Sequence, residues 1–275
     1  LQAKTPVWGF CGHPLVDGQK LICLVGGKDG VVFAFDKDNG KEIWHSLEAS
    51  DPGYSAPTLI EAGGARQLLI WHPQSLNSLD PETGKLHWSV PLVPQFGMSI
   101  MSPRQLGDLL FAGGIGGVSV LLKLAPDKPA FTEVWRGSMK TGASPVNATP
   151  FLENGFMYAV DQPGALLGVR LDTGERVWQT FQPVSDKPGT RGVNSGTAFL
   201  VKNGDRFFLF SETGHLIIAR LSPKVYEEIS RWKMLEPTAT AFQDRNVVWS
   251  HPAFANKCVF ARNDNELVCA SLAEK

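Results

Sequence analysis

The sequence predicts an all-β fold, a β-propeller of four-stranded antiparallel blades with about six blades in this chain. Three observations predict it. Trp44, Trp88, Trp135, Trp178 and Trp232 recur at intervals of 44, 47, 43 and 54 residues. Three of them end nearly the same phrase: AFDKDNGKEIW (34–44), SLDPETGKLHW (78–88) and GVRLDTGERVW (168–178). Upstream of every tryptophan lies a pair of short apolar runs split by an Asn, Asp or Gly turn, and no stretch sustains a helical period.

Taken in order, the first unit pairs GHPLVDGQKLICL (12–24) with the 34–44 phrase, and the second pairs SAPTLIEAGGARQLLIW (55–71) with 78–88. MSPRQLGDLLFAG (101–113) leads to LLKLAPDKPAFTEVW (121–135), where a longer turn replaces the short one. ATPFLENGFMYAV (148–160) precedes the 168–178 phrase. GTAFLVKNGDRFFLF (196–210) precedes ARLSPKVYEEISRW (219–232), and SHPAFANKCVFAR (250–262) opens a sixth unit. Each unit reads as four strands, with boundaries near 50, 94, 142, 190 and 245. In the turns, Gly40, Gly84 and Gly174 supply positive φ, and the preceding Asp can accept hydrogen bonds from the turn backbone. A four-stranded sheet cannot hide both faces alone, so blades must stack, and the repeated tryptophans are assigned to cover each junction with the next blade.

Five full units and three strands leave the sixth without its outer strand, and residues 1–7 show no alternation that would supply it. We therefore expect one propeller domain over 1–275, with N-terminal blades of its ring lying outside this sequence.

Composition excludes several classes. Twenty-six basic against 27 acidic residues give a net charge of −1, without the basic footprint that nucleic acid or an anionic membrane surface demands. The longest uncharged apolar run, LLFAGGIGGVSVLL (109–122), is too short and too rich in Gly to span a bilayer. Its glycines imitate a phosphate loop, but a strand follows, so they read as a turn. Of the four cysteines, Cys23, Cys258 and Cys269 lie in apolar alternating stretches and read as buried strand residues. Cys11–Cys23 and Cys258–Cys269 remain open as cross-strand bridges in an oxidising compartment. No Cys-x-x-Cys or Gly-x-Ser-x-Gly pattern occurs, so no metal site and no catalytic residue is assigned.

The repeats resemble the pyrroloquinoline-quinone (PQQ)-like family of β-propellers, whose blade phrase is A-x-D-x-x-T-G-K-x-x-W. Ala34, Asp36, Gly40, Lys41 and Trp44 match it, with Asn39 in the Thr place. Asp80, Thr83, Gly84, Lys85 and Trp88 match again. The fourth copy keeps Asp172, Thr173, Gly174 and Trp178 and reads as one residue shorter before the Thr. The branch most resembled is the secreted bacterial, quinoprotein-dehydrogenase-like one, which implies a periplasmic or secreted protein. The family holds quinone-dependent alcohol and sugar dehydrogenases, a lipoprotein that assists outer-membrane barrel assembly, and uncharacterised propellers. The enzymes usually have eight blades, which implies about two N-terminal blades outside this sequence, and they carry an adjacent-cysteine disulfide over the quinone and a calcium ligand set. No two cysteines are adjacent here.

The resemblance and the residues together point to a non-catalytic, monomeric, extracytoplasmic binding module that takes a protein or a saccharide and no cofactor. A PQQ- and calcium-dependent dehydrogenase and a barrel-assembly accessory protein are the alternatives. Repeat alignment places candidate binding residues where loops meet the channel mouth: Trp8, Phe10, His13, Tyr54, Ser55, Met98, Met101, Asn147, Arg191, Asn194, Trp249 and His251. His13 and His251 share the position before Pro and read as satisfied histidines rather than metal ligands.

Overall fold

The computed structural model describes residues 3–26, 30–185, 192–241 and 244–273. Backbone contacts divide the chain into two compact units. One holds Leu1–Ser144 with Leu171–Gly174, and the other holds Pro145–Arg170 with Glu175–Lys275.

The first unit carries three sheets. The first is built from β1 (Leu15–Asp17), β2 (Lys20–Leu24), β3 (Val32–Asp36) and β4 (Glu42–Ser46). Next come β5 (Thr58–Ala62), β6 (Ala65–His72), β7 (Ser75–Leu79) and β8 (Leu86–Pro91). The third comprises β9 (Arg104–Leu106), β10 (Leu109–Gly114), β11 (Val118–Leu124) and β12 (Phe131–Arg136). The second unit continues with β13 (Phe151–Glu153), β14 (Phe156–Val160), β15 (Leu166–Arg170) and β16 (Arg176–Thr180). A fifth sheet follows from β17 (Ala198–Asn203), β18 (Arg206–Ser211), β19 (His215–Leu221) and β20 (Tyr226–Lys233). A two-stranded hairpin, β21 (Ala239–Thr240) and β22 (Asn246–Val247), precedes a last sheet of β23 (Ala253–Ala255), β24 (Cys258–Arg262) and β25 (Leu267–Ser271).

In the five four-stranded sheets neighbours in sequence are neighbours in space and every pairing is antiparallel. The expected boundaries at 50, 94 and 142 fall between sheets, 190 falls in an undescribed segment, and 245 falls inside the β21–β22 hairpin. The meander of blades is that of a β-propeller. Among the described residues helix is confined to two 3₁₀ turns, Gln95–Gly97 and Gln182–Val184, and no helix is long and apolar enough to cross a membrane. The glycine run after Leu109 forms the β10–β11 hairpin, with Gly116 and Gly117 at φ 97° and 75°.

The turn between third and fourth strands explains the repeated phrase. In the first blade, Asp36 Oδ1 accepts the N–H groups of Asp38 and Asn39 at 3.0 Å, and Gly40 at φ 73° donates to Asp36 O at 2.8 Å. In the second, Asp80 Oδ1 accepts Glu82 and Thr83 N–H, and Gly84 at φ 71° donates to Asp80 O at 2.9 Å. The fourth copy corrects the reading of a shortened turn. Arg170 N bonds Glu175 O as Asp36 N bonds Lys41 O, so Arg170 occupies the Asp place and Asp172 lies two residues beyond it. The spacing is unchanged, and an arginine, which cannot accept a hydrogen bond, stands in the Asp place.

A β-bulge then sets the tryptophan. Trp44, Trp88, Trp135 and Trp178 pair with Ala34, Ser78, Leu121 and Gly168, each immediately before the bulge on the third strand. From that place the indole reaches the following blade. A Cβ on Gly84 would lie 2.6 Å from the Trp44 ring, and one on Gly174 would lie 3.2 Å from the Trp135 ring. Trp135 Nε1 donates to Leu171 O at 2.8 Å, and Trp178 Nε1 donates to Ser222 O at 2.9 Å. Where the third blade lacks the short turn, Trp88 meets Phe131 edge-on at 5.0 Å. Lys20 strengthens the first junction by bonding both carboxylate oxygens of Glu82 in the second blade's turn.

Trp232 departs from its expected role. The residue before the fifth bulge is Ser230, opposite Ile218, while Trp232 sits two residues further on and is 51% exposed. Two residues of extra spacing keep the same face of the strand but miss the junction. Instead, Asn263 Nδ2 donates to Glu236 O at 2.9 Å, and Thr238 Oγ1 bonds Asp264 Oδ2 at 3.0 Å. The expectation that residues 1–5 leave the last sheet unpaired rests on Leu1 and Gln2, outside the described residues. Cys269, expected to be buried, is exposed, because the last sheet turns only its Val259, Ala261, Val268 and Ala270 side toward the apolar cluster it shares with the fifth blade.

Two stability predictions test this arrangement. Gly40 and Gly84 share a left-handed backbone, but a Cβ on Gly40 meets nothing within 4 Å. Gly84→Ala should therefore destabilise by about 1–3 kcal/mol more than Gly40→Ala in urea unfolding. Trp88→Ala, at a site 8% exposed, should cost about 3–5 kcal/mol. Trp232→Ala should cost under about 1 kcal/mol.

Candidate functional site

The expected mouth residues divide between the two units. In the first, Trp8 and Phe10 are each 53% exposed and His13 is exposed. Tyr54 is not: it is 8% exposed, and burial, more than any neighbour, raises its hydroxyl pKa, opposed by a hydrogen bond with the Trp8 backbone. Ser55 is buried and donates to Met101 O at 2.9 Å, and Met101 is itself buried. Tyr54, Ser55 and Met101 are thus corrected from open surface to packed interior. The cause is the inter-blade segment folding back, with Tyr54 N bonded to Ser99 O at 3.0 Å. Met98 is half-buried. Cys11 donates its thiol proton to Trp8 O at 2.9 Å.

In the second unit, three expected residues converge on one that sequence reasoning missed, Glu212. It follows β18 directly and is 2% exposed. Its backbone N–H donates to Thr197 O at 2.9 Å and its carbonyl accepts Val248 N–H at 2.8 Å, so the fifth blade is tied to the segment entering the sixth. The carboxylate faces inward to three donors. Oε2 accepts Thr197 N–H at 2.9 Å, Trp249 Nε1–H at 3.0 Å and Arg245 Nη2–H at 3.4 Å, and Oε1 lies 3.1 Å from Arg245 Nε.

The network extends outward through the named candidates. Arg245 also donates to Asn194 O at 3.2 Å, and Asn147 Nδ2 donates to Thr197 Oγ1 at 3.0 Å. Ser195 holds a left-handed backbone, φ 59°, and its carbonyl accepts Thr197 Oγ1–H at 3.1 Å. His251 stands beside this group, its ring 4.7 Å from that of Phe199 and its Nδ1 2.8 Å from Pro252 O. Arg191 lies outside the described residues.

Burial pushes the Glu212 pKa above its ordinary value, against the opposing pull of Trp249, Arg245 and the Thr197 amide. With Oε2 taking three N–H donors, this carboxylate fastens the Trp249 indole in place. A signal was present in the sequence: a polar residue closes the apolar second strand in three blades, as His72, Asp161 and Glu212, all buried. Among the described residues no group of three His, Cys, Asp or Glu gathers at metal-holding distance.

The raised pKa has a defined consequence. The native state holds its Glu212 proton more tightly than the unfolded chain, so this residue's contribution to stability falls as pH rises from the ordinary value of 4.5 toward neutrality. The urea midpoint of wild type relative to Glu212→Gln should therefore move in the variant's favour over that window. A constant difference between the two proteins across that range would show that Glu212 has an unshifted pKa.

Comparison with known proteins assigns the fold to a family. A family model described as outer membrane protein assembly factor BamB matches residues 4–118 and 72–275. BamB of Shewanella oneidensis is 24% identical over 224 residues, which is 74% of this chain and 54% of that protein. This chain therefore spans about half the length of that relative. The crystal structure of BamB from Moraxella catarrhalis superposes with a TM-score of 0.66 at 15% identity, covering 95% of this chain and 69% of that one. Quinohemoprotein alcohol dehydrogenases from Pseudomonas putida HK5 and Comamonas testosteroni share the fold, with TM-scores of 0.58 and 0.59 at 14% and 13% identity. They are covered over 50% and 52% of their length, against 92% and 95% of this chain. Repeated blades, Asp–Gly turns and junction tryptophans thus have one common explanation: the chain belongs to the PQQ-like repeat family of outer membrane protein assembly factor BamB.

Proposed function

We propose that this chain is a non-catalytic propeller of the bacterial cell envelope, facing the periplasm, which binds protein partners during the assembly of outer-membrane proteins. The observation that carries this reading is the match to the assembly-factor family along residues 4–118 and 72–275. The chain's own residues are compatible with it. The half-exposed Trp8 and Phe10, together with Trp249 held by Glu212, are of the types enriched where proteins meet. The dehydrogenases that share the fold are matched by shape alone, and none of the four cysteines stands next to another in sequence.

The test is co-purification. A tagged chain expressed in a bacterial envelope and extracted in mild detergent should bring the outer-membrane assembly factors with it, and the periplasmic face of the outer membrane should be the fraction that contains it. Stoichiometric binding of PQQ with calcium, accompanied by dye reduction with an alcohol or aldose and no such association, would establish the dehydrogenase instead. Retention on a saccharide column without any assembly factor would likewise displace the proposal.

A further inference from the structure

The last sheet brings two thiols together. Cys258 lies on β24 and Cys269 on β25, and their strands pair with Cys258 opposite Ser271 and Phe260 opposite Cys269. Leu272 N donates to Lys257 O, and Asn263 N donates to Glu266 O, which places the hydrogen-bonded pairs of this ladder at the alternate positions. Cys258 and Cys269 therefore sit diagonally across adjacent non-hydrogen-bonded pairs, on one face of the sheet, where side chains of the two strands come nearest. That face is turned away from the apolar cluster formed by Val259, Ala261, Val268 and Ala270. Both thiols are free, Cys269 is exposed, and Cys258 is half-buried beside a recess of about 390 Å³ bordered by Phe208, Phe254 and Leu272. A small oxidant reaches the pair at the exposed Cys269.

We propose that Cys258 and Cys269 form a reversible dithiol–disulfide site that staples β25 to β24. In the forward step both S–H bonds break and an S–S bond forms between the two sulfurs. Two electrons and two protons pass to a disulfide oxidant, which leaves as two thiols; excess thiol reverses the step. Diagonal partners in a sheet stand roughly 7–8 Å apart, whereas bridged cysteines have Cα atoms closer than about 6.8 Å. Closing the bridge therefore pulls the strands together by about 1 Å, which favours a reducible bond over a permanent one. The last sheet can accommodate this pull, because among the described residues β25 is paired on one side alone. Burial, and then a hydrogen bond with the Cys258 thiol, raise the pKa of Cys269. Since the thiolate is the attacking species, bridging should accelerate as pH rises.

The experiment equilibrates the whole chain with oxidised and reduced glutathione over a range of ratios, blocks free thiols, and maps the cysteines by peptide mass spectrometry. The expected result is joint loss of Cys258 and Cys269 as one linked peptide pair, while the Cys11 and Cys23 peptides stay unlinked to it, and recovery of both thiols in reduced glutathione. Cys258→Ser should carry glutathione on Cys269 in place of the bridge, a check that the site exchanges and that the small substitution leaves the fold intact. Wild-type protein that carries glutathione on Cys269 while Cys258 stays a thiol would overturn the proposal. So would two unmodified thiols at the most oxidising ratio.

Discussion

Successive blades in this chain are held by an indole resting on the next blade's turn, and much of the local sequence serves that contact. Trp44 lies on Gly84 so closely that a methyl group there would collide with the ring, and Trp135 leaves only a tight 3.2 Å over Gly174. The requirement propagates backwards. The turn must be tight and left-handed at one residue, which calls for glycine and, in two copies, an Asp to take up the free N–H groups. The strand opposite the tryptophan must bulge beside it, and the residue beneath must leave room, most plainly at Gly168, where any Cβ would overlap the Trp178 ring. Bulge, turn and tryptophan are one device for burying sheet faces that no single blade can bury.

Where a partner in that device changes, the junction is rebuilt from other chemistry. The third blade's long turn removes the glycine, and Trp88 meets the edge of Phe131 while its Nε1 bonds Gln67 within its own blade. The fifth blade has no tryptophan before its bulge, and a polar tie from Glu236 and Thr238 to the sixth blade's turn joins a Phe208–Phe254 stack at 5.0 Å instead. Glu212 adds a second tie between the fifth blade and the segment that enters the sixth. Ionising a carboxylate so deep is unfavourable, and Arg245, Trp249 and the Thr197 amide reduce that cost without cancelling it, so burial still raises the pKa. Trp249 is consequently a positioned side chain and not a free one.

The architecture was legible because its determinants are local. A tryptophan period, an Asx–Gly turn and a Pro-opened apolar pair each specify a few residues of backbone, and repetition made them unmistakable. Register was less legible. The fifth tryptophan shares its strand face with the expected position but not its depth, and Asp172 mimics an Asp whose place Arg170 holds. In both cases the decisive quantity is hydrogen-bond pairing with a distant strand, which residue spacing reports only to within a residue or two.

The site was legible in part for a related reason. Alignment of repeats pointed to Asn147, Asn194 and Trp249, since equivalent positions in stacked blades end at the same side. It misplaced Tyr54, Ser55 and Met101, because whether a loop folds back over its own side chains depends on contacts such as Tyr54 with Ser99 that no repeat encodes. It passed over Glu212, a single charged residue after an apolar run, and it left Cys258–Cys269 open beside Cys11–Cys23, without the register that sets the first pair on one face of adjacent strands. The sequence by itself determined the blade, its turns and its period, because these follow from backbone conformation and burial within about fifty consecutive residues. Only tertiary structure decided which polar groups are buried together and which thiols face each other, because proximity across strands depends on pairing register, and one residue of slip reverses every side chain.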